Sequence, residues 1–147
     1  MFPDSVGVFD MHTKIFSYPL MIKESYLDTF GHVNNATYLT LFEEARWELI
    51  TKNGFGIAQI RETGLGPTIL ELKVSFLKEL RLREKITIET QIISYNKKVG
   101  VLLQKMIRDG VICCEAEFVI ALFDVKARKI VSPTPEWLNA IGVVSQA

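Results

Sequence analysis

The chain has 147 residues, of which 48% are hydrophobic and 23% are charged. This composition predicts one ordered domain over residues 1–147 that buries a core of its own without structural metal or disulfides. The 17 basic residues balance the 17 acidic residues, so the overall attraction of a basic protein for nucleic acid or for an anionic membrane is excluded.

The N-terminal part of the sequence predicts a loose start followed by one strand. Residues 1–14 have neither the basic start nor the apolar core of a secretion signal, and no later stretch is long and apolar enough to span a membrane. We therefore expect a protein that is neither secreted nor membrane-spanning. Residues 14–22 (KIFSYPLMI) mix aromatic and branched side chains as strands do, and Pro19 suits an edge strand or a bulge.

A polar loop and one long helix follow this strand. Gly31 permits the unusual backbone angles of a turn, and Asn34 or Asn35 can cap the first amides of a helix. Apolar side chains recur at helical spacing up to about Lys52, where an Asn-Gly pair gives a stop signal. At 1.5 Å per residue this helix is roughly 27 Å long. Its predicted apolar face consists of Tyr38, Leu41, Phe42, Ala45 and Leu49.

The remainder of the chain is largely typical of strands. A short helical turn is predicted at 57–62, and Gly64, Gly66 and Pro67 end it. In the tail, Pro135 suits the first position of one more helical turn. Asp109-Gly110 is a strong hairpin signal. The runs rich in β-branched residues, each predicted to be a strand, are 68–78, 85–95, 99–108 and 111–124.

The two cysteines lie next to each other in the last of these strands. Because neighbouring strand side chains point to opposite faces, a disulfide between Cys113 and Cys114 would be strained. We expect both to be reduced thiols, which is typical of a cytoplasmic protein.

The order of elements predicts an α+β fold. The predicted order is one strand, one long helix and four further strands. A parallel, doubly wound sheet needs more helices than this. We expect one antiparallel sheet, running as a meander, with the helix on its face. The edges and second face of such a sheet need cover, which pairing of edge strands between subunits would provide. We therefore predict a homo-oligomer, either a homodimer or a homotetramer.

Several familiar kinds of active site are excluded because their residues are missing. His12 and His32 are the only histidines, and with two cysteines in an apolar strand they offer too few zinc ligands. The sequence has no Gly-x-Ser-x-Gly elbow, and its glycines form neither a phosphate loop nor a dinucleotide fingerprint. We therefore expect no metal and no cofactor.

The candidate chemistry is concentrated in the polar loop at residues 28–35. Amides at a helix start are unpaired donors at the positive end of the helix dipole, so they can stabilise an oxyanion. Asp28 can attack a carbonyl there or take a proton from water. The same residues are also common turn and capping residues, and His32 can be a catalytic base or an ordinary loop histidine. Both interpretations stay open from the residues alone.

The segment D28-T-F-G-H-V-N-N-A-T-Y38, followed by F42-E-E-A-R46, resembles the signature of the 4-hydroxybenzoyl-CoA thioesterase family. The similarity continues through VSFLKELRLREKITIET (74–90) and covers roughly residues 14–125. This family has the hot-dog fold, in which an antiparallel sheet wraps around one long central helix. The resemblance thus implies the same fold class as the order of elements.

The resemblance also implies catalytic residues. The acid of the family's motif falls on Asp28, as nucleophile or general base, and the amide that polarises the carbonyl falls at about Asn35. Asn34 and Asn35 replace the aromatic pair of the aryl-CoA enzymes, which indicates an aliphatic acyl group. Some relatives place the catalytic carboxylate on the central helix instead, which makes Glu43 and Glu44 reserves to Asp28.

Further residues are predicted to bind substrate. Lys97 and Lys98 match positions where relatives place basic residues against the phosphates of CoA, although a Lys-Lys pair in a hairpin is usually a solvated turn. Arg81 and Arg83 are weaker candidates for the same contact with the CoA phosphates. Thr68 falls in a pocket segment that relatives receive from the neighbouring subunit, or it simply starts a strand. The predicted substrate-binding residues are Asn34, Tyr38, Thr68, Lys97 and Lys98.

The resulting functional hypothesis is an acyl-CoA thioesterase that hydrolyses a thioester to a free acid and CoA. The acyl chain is expected to lie in a groove at a dimer interface. Three alternatives stay open: a thioesterase for acyl groups on a carrier protein, a hot-dog hydratase or dehydratase that uses a histidine with an acid, and a binding module without catalysis in which Asp28 is only a cap.

Overall fold

The computed structural model describes residues 11–146, and the loose start predicted before residue 11 lies outside this range. The described residues form eight strands, three α-helices and one 3-10 turn at Glu24–Tyr26. The helices are α1 (Asn35–Lys52), α2 (Ile57–Thr63) and α3 (Pro135–Ala140). The strands are β1 (Met11–Thr13), β2 (Phe16–Met21), β3 (Leu65–Phe76), β4 (Lys85–Asn96), β5 (Val99–Arg108), β6 (Val111–Asp124), β7 (Lys129–Val131) and β8 (Val143–Gln146).

The main sheet is antiparallel, and its strand order corrects the predicted simple meander. The order is β2-β4-β5-β6-β3, with β7 beside β6. Only β4, β5 and β6 form a meander, because β3 pairs with β6 and not with β4. The segment between β3 and β4 lacks a hairpin turn signal, and at residues 77–84 it is long enough to cross the ends of β5 and β6. The backbone amide of Leu77 donates to the carbonyl of Cys113 on this path (2.9 Å).

Both prolines of this sheet lie in its two edge strands. Pro19 lies in the edge strand β2, opposite Thr87 of β4, as its missing N–H requires. Pro67 was predicted to precede β3 but lies inside it, opposite Leu122 of β6. Since β3 is the other edge of the main sheet, a proline there costs no ladder hydrogen bond on the side that faces away from β6.

Helix α1 begins and ends where the sequence predicts. The side chain of Asn34 accepts a hydrogen bond from the backbone amide of Ala36 (2.9 Å), and Gly54 after the helix has a φ of 86°. The predicted apolar face is confirmed, because its five members are all buried, together with Ile50. This face packs on the sheet through contacts such as the edge-to-face pair of Phe42 and Phe118, whose ring centroids are 6.0 Å apart.

A buried polar chain also joins α1 to the sheet, and the sequence gives no sign of it. Gln104 on β5 is fully buried and donates from its Nε2 to the carbonyl of Phe42 (3.1 Å) and to Oγ1 of Thr90 (3.0 Å). Its Oε1 accepts from Nη1 of Arg46 on α1 (2.9 Å). Buried polar groups of this kind must be paired to avoid a desolvation penalty, so the chain fixes how α1 sits on the sheet.

Other local predictions are also tested by the structure. Asp109 (φ 50°) and Gly110 (φ 77°) are both left-handed, as a two-residue hairpin turn requires. Cys113 and Cys114 are free and buried, and burial raises the pKa of Cys114 to about 12. Within residues 11–146 no helix is long and apolar enough to cross a membrane. The small sheet formed by β1 and β8 was not predicted.

Candidate active site

The loop before α1 is folded around the carboxylate of Asp28. Its Oδ1 accepts a hydrogen bond from the backbone amide of Phe30 (2.8 Å) and a longer one from the amide of His32 (3.4 Å). The backbone amide of Asp28 donates to the carbonyl of His32 (2.8 Å). Gly31, with a φ of 83°, supplies the left-handed residue that closes the turn. Asp28 therefore has the turn role that its residue type allows.

This turn uses only one of the two carboxylate oxygens. Among residues 11–146, Oδ2 of Asp28 has no hydrogen-bond partner, and the side chain is half-buried beside a cavity of about 220 Å³. A carboxylate that is held by one oxygen and open at the other has a fixed direction in which to accept a proton or attack. The cavity is lined by Asp28, His32, Val33, Asn35, Tyr38, Phe76, Leu77, Lys78 and Glu79.

Asn35, the first residue of α1, lines the same cavity. The side chain of Asn34 caps the amide of Ala36, whereas the backbone N–H of Asn35 donates to no residue that the structure describes. It lies at the N-terminus of an 18-residue helix, where the helix dipole places positive partial charge. The cavity is thus lined by one residue with an open carboxylate oxygen and by another with an open N–H donor.

His32 has a partner that sequence reasoning missed. Its Nε2 lies 3.3 Å from Oε2 of Glu79, and Nη2 of Arg81 lies 3.3 Å from the same oxygen. Glu79 belongs to the crossover between β3 and β4, which passes the start of α1. No motif marks it, because its position depends on the strand order that the sequence did not give. His32 is therefore oriented by a carboxylate at the rim of the cavity.

Tyr38 and Phe76 form the apolar wall of the cavity. Their rings meet edge to face with centroids 5.0 Å apart, and burial raises the pKa of the Tyr38 phenol. Tyr38 is one of the predicted substrate-binding residues, and it does line the cavity with Asp28. Phe76, at the end of β3, was not predicted.

Other predicted residues lie elsewhere in the protomer. The side chain of Asn34 caps the helix, and Asn34 does not line the cavity, so its contact with substrate stays a prediction. Thr68 lies near the opposite end of β3 from Phe76. Lys97 and Lys98 form the turn after β4. Thr68, Lys97 and Lys98 do not line the cavity of the same protomer, and their contacts with substrate stay predictions.

The two reserve glutamates on α1 are also away from this cavity. Glu44 is exposed and accepts a hydrogen bond from the Tyr18 hydroxyl (2.7 Å), which together with burial raises the pKa of Tyr18 to about 12. Glu43 is exposed on the helix and lines a second cavity farther along α1. Asp28 and Glu79 are thus the carboxylates that line the cavity together with Asn35.

Relatives of this chain share its family and its activity class. A family model described as the Thioesterase-like superfamily matches residues 23–141. The long-chain acyl-CoA thioesterase FadM of Escherichia coli (strain K12) is 26% identical over 112 residues, which are 75% of this chain and 84% of that protein. An acyl-acyl carrier protein thioesterase of Arabidopsis thaliana is 32% identical over 73 residues, which are 50% of this chain and 38% of that protein.

A solved structure shows the same fold. A Staphylococcus aureus protein solved in complex with CoA superposes with a TM-score of 0.81 at 17% identity, over 88% of this chain and 82% of that chain. This likeness concerns the fold alone. Together with the family match it confirms the predicted hot-dog class, an antiparallel sheet with one long helix packed on it.

Proposed function

Because this chain belongs to the thioesterase-like superfamily, we propose that it hydrolyses acyl-CoA thioesters, with Asp28 as the reacting carboxylate. One observation carries this proposal: Asp28, whose Oδ2 is open, and Asn35, whose N–H is open, line the same cavity. The narrower kinship with 4-hydroxybenzoyl-CoA thioesterases, expected from the Asp28 motif, stays part of the proposal.

The chemistry follows from these two groups. A thioester carbonyl oxygen placed on the Asn35 amide gains negative charge as its carbon is attacked, and the helix start stabilises that charge. Asp28 either takes a proton from the attacking water or attacks the carbon itself and forms an anhydride that water then cleaves. Both routes break the carbon–sulfur bond and release CoA thiol and a free acid.

His32 supports the reaction from the rim of the cavity. Its imidazole is held by Glu79 at 3.3 Å, close enough to the cavity to donate a proton to the departing thiolate or to orient a water. A histidine paired with a carboxylate is also the minimum required for hydratase chemistry, and that activity is one of the outcomes of the substrate test given below.

We propose an aliphatic acyl group because the path that leads away from the cavity is apolar. Along the inner face of β3, Ile69, Leu72 and Phe76 are apolar and 38%, 40% and 48% exposed. They share this face with Ile120, Phe118 and Cys114 of β6 through the strand register. An apolar chain would gain free energy by covering them. The relative FadM is itself named a long-chain acyl-CoA thioesterase.

We also propose that the protein is a homodimer or homotetramer assembled through β3. This strand is 12 residues long, forms an edge of the main sheet and exposes several apolar side chains, which is an aggregation hazard unless it is covered. A twofold axis at this edge would place the Thr68 end of one β3 beside the Phe76 end of the other. Light scattering should give a mass of at least twice 16.7 kDa; a monomer at all concentrations would contradict the proposal.

Lys97 and Lys98 stay predicted contacts for the CoA phosphates. A cytoplasmic location likewise stays a prediction.

Hydrolysis of acyl groups on a carrier protein is a second candidate function, since the Arabidopsis thaliana relative is named for that substrate.

The proposal is tested by following thiol release from dodecanoyl-CoA, 4-hydroxybenzoyl-CoA and a dodecanoyl carrier protein. We expect release from dodecanoyl-CoA with the highest kcat/KM, because its chain suits the apolar path. A preference for the carrier protein would favour the second candidate. If no ester releases thiol, water addition to an enoyl-CoA and simple binding by titration calorimetry would be measured to distinguish a hydratase from a binding module.

A further inference from the structure

A second cavity lies farther along α1, on the side that faces β3. Its volume is about 90 Å³, and its lining is mostly apolar, including Trp47, Ile69 and Trp137. Two charged residues do not fit this lining, Glu43 and Arg46. The cavity is too small for a long acyl chain and has room for the end group of one.

The charge of Arg46 has no carboxylate partner in the described part of the chain. None of the ion pairs found there includes Arg46. Its Nη1 donates to Gln104, and its guanidinium carbon lies 4.3 Å from the centroid of the Phe118 ring. Desolvation by burial lowers the pKa of Arg46 to about 10, and the charge of Glu43 offsets only part of this effect.

The remaining donors of Arg46 are open. Its Nε and Nη2 make no hydrogen bond with a described residue, and neither is sealed off from solvent, because no buried side-chain nitrogen within residues 11–146 lacks a partner. A guanidinium presents paired N–H groups in a planar fork that matches a carboxylate. The nearest acidic side chain on the cavity wall, Glu43, is exposed at the rim and leaves this fork unpaired.

Both cavities are lined by residues of α1 and of β3, and we refer to the strip between these two elements as the groove. The cavity of Asp28 includes Asn35 from the start of α1 and Phe76 from the end of β3. The cavity of Arg46 includes later residues of α1 and Ile69 near the start of β3. The two elements therefore run side by side in opposite directions, with Arg46 roughly 16 Å beyond Asn35 along the helix axis. An extended acyl group that leaves Asp28 along this groove would reach Arg46.

We propose that Arg46 binds a carboxylate at the far end of an aliphatic chain, so that the groove accepts ligands with an acidic end. This inference rests on the proposed function for the position of the thioester. The carboxylate has two possible sources: the second carboxylate of a dicarboxylic acyl-CoA, or the single carboxylate of a free fatty acid that occupies the groove without CoA. An uncharged chain end would leave the Arg46 charge uncompensated in an apolar cavity.

The kinetic test compares dodecanedioyl-CoA with dodecanoyl-CoA, which differ only at the far end. Arg46→Gln keeps a polar side chain and removes the charge, whereas Arg46→Lys keeps the charge and removes the fork. We expect Arg46→Gln to lower kcat/KM for dodecanedioyl-CoA by about ten- to a hundredfold relative to dodecanoyl-CoA, and Arg46→Lys to lower it less. Arg61→Gln, on the exposed surface of α2, is the matched control and should leave the ratio unchanged.

A binding test reads out the same site when no ester is hydrolysed. Titration calorimetry with free dodecanoate should show binding to the wild type that Arg46→Gln weakens by a similar factor if the free acid is the source. The proposal is overturned if Arg46→Gln changes neither the ratio of the two esters nor the affinity for dodecanoate while its thermal unfolding shows a folded protein. Failure of the proposed function alone would appear as absent hydrolysis with the calorimetric effect intact.

Discussion

Replacing Asp28 with asparagine is expected to lower kcat for acyl-CoA hydrolysis by about 10²- to 10⁴-fold while leaving substrate affinity nearly unchanged. Asparagine is nearly isosteric with aspartate and keeps the side-chain oxygen that accepts from the amide of Phe30. The turn should therefore persist, and the loss should come from the missing negative charge at the thioester. Thiol release gives kcat, and titration calorimetry with intact substrate gives the affinity.

Asp124 provides a matched control for this change. Its Oδ1 accepts from the backbone amides of Lys126 and Ala127, both at 2.9 Å, so it closes a turn as Asp28 does but lies away from the cavity. Asp124→Asn should keep full activity and nearly full stability. If Asp28→Asn behaves in the same way, Asp28 is a turn residue only, and the catalytic assignment fails.

The largest expected effect on stability comes from Phe42→Ala, which should lower the free energy of unfolding by about 3–5 kcal/mol. The Phe42 side chain has 0% exposure and packs its ring on Phe118 of β6, at the centre of the contact between α1 and the sheet. Alanine loses the transfer free energy of the ring and leaves a cavity that the fixed helix cannot close. Denaturant unfolding monitored by far-UV circular dichroism measures the change.

Phe30→Ala is the control for this prediction, because it removes the same side chain at a position that is 81% exposed. We expect a change of less than about 0.5 kcal/mol in the free energy of unfolding there. A loss at Phe42 no larger than the loss at Phe30 would mean that α1 is not held on the sheet as described.

Features that depend on local periodicity were predictable from the sequence. Helix α1 begins at Asn35 and ends at Lys52 as expected, since its cap, its apolar spacing and its stop signal are all local. The hairpin at Asp109-Gly110 is local in the same way. The fold class followed because one long helix among antiparallel strands leaves few arrangements.

Features that depend on strand order were not predictable. The sequence gives no sign that β3 crosses to the far edge of the main sheet, and the places of Glu79 and Phe76 beside Asp28 both follow from that crossing. The same topology separates Lys97 and Lys98 from the cavity of their own protomer. The polar contact of Arg46 with Gln104 joins residues 58 positions apart, and no periodicity reveals it.

The sequence motif predicted which residues lie at the candidate site but not the role of each atom. The residues before α1 indicated a turn, a cap and an oxyanion site at once, and the structure divides the turn and the cap between different atoms. The Asn34 side chain is the cap, one oxygen of Asp28 closes the turn, and the other oxygen and the Asn35 amide are left open. Such a division between atoms of one residue cannot be obtained from residue types.

The most direct test of the central claim is a crystal structure of Asp28→Asn with intact dodecanoyl-CoA. We predict the thioester carbonyl oxygen within hydrogen-bond distance of the Asn35 amide, the thioester carbon next to the side chain at position 28, and the acyl chain in the groove between α1 and β3. A thioester bound away from the start of α1, with its carbon out of reach of the side chain at position 28, would contradict the claim that Asp28 carries the hydrolysis.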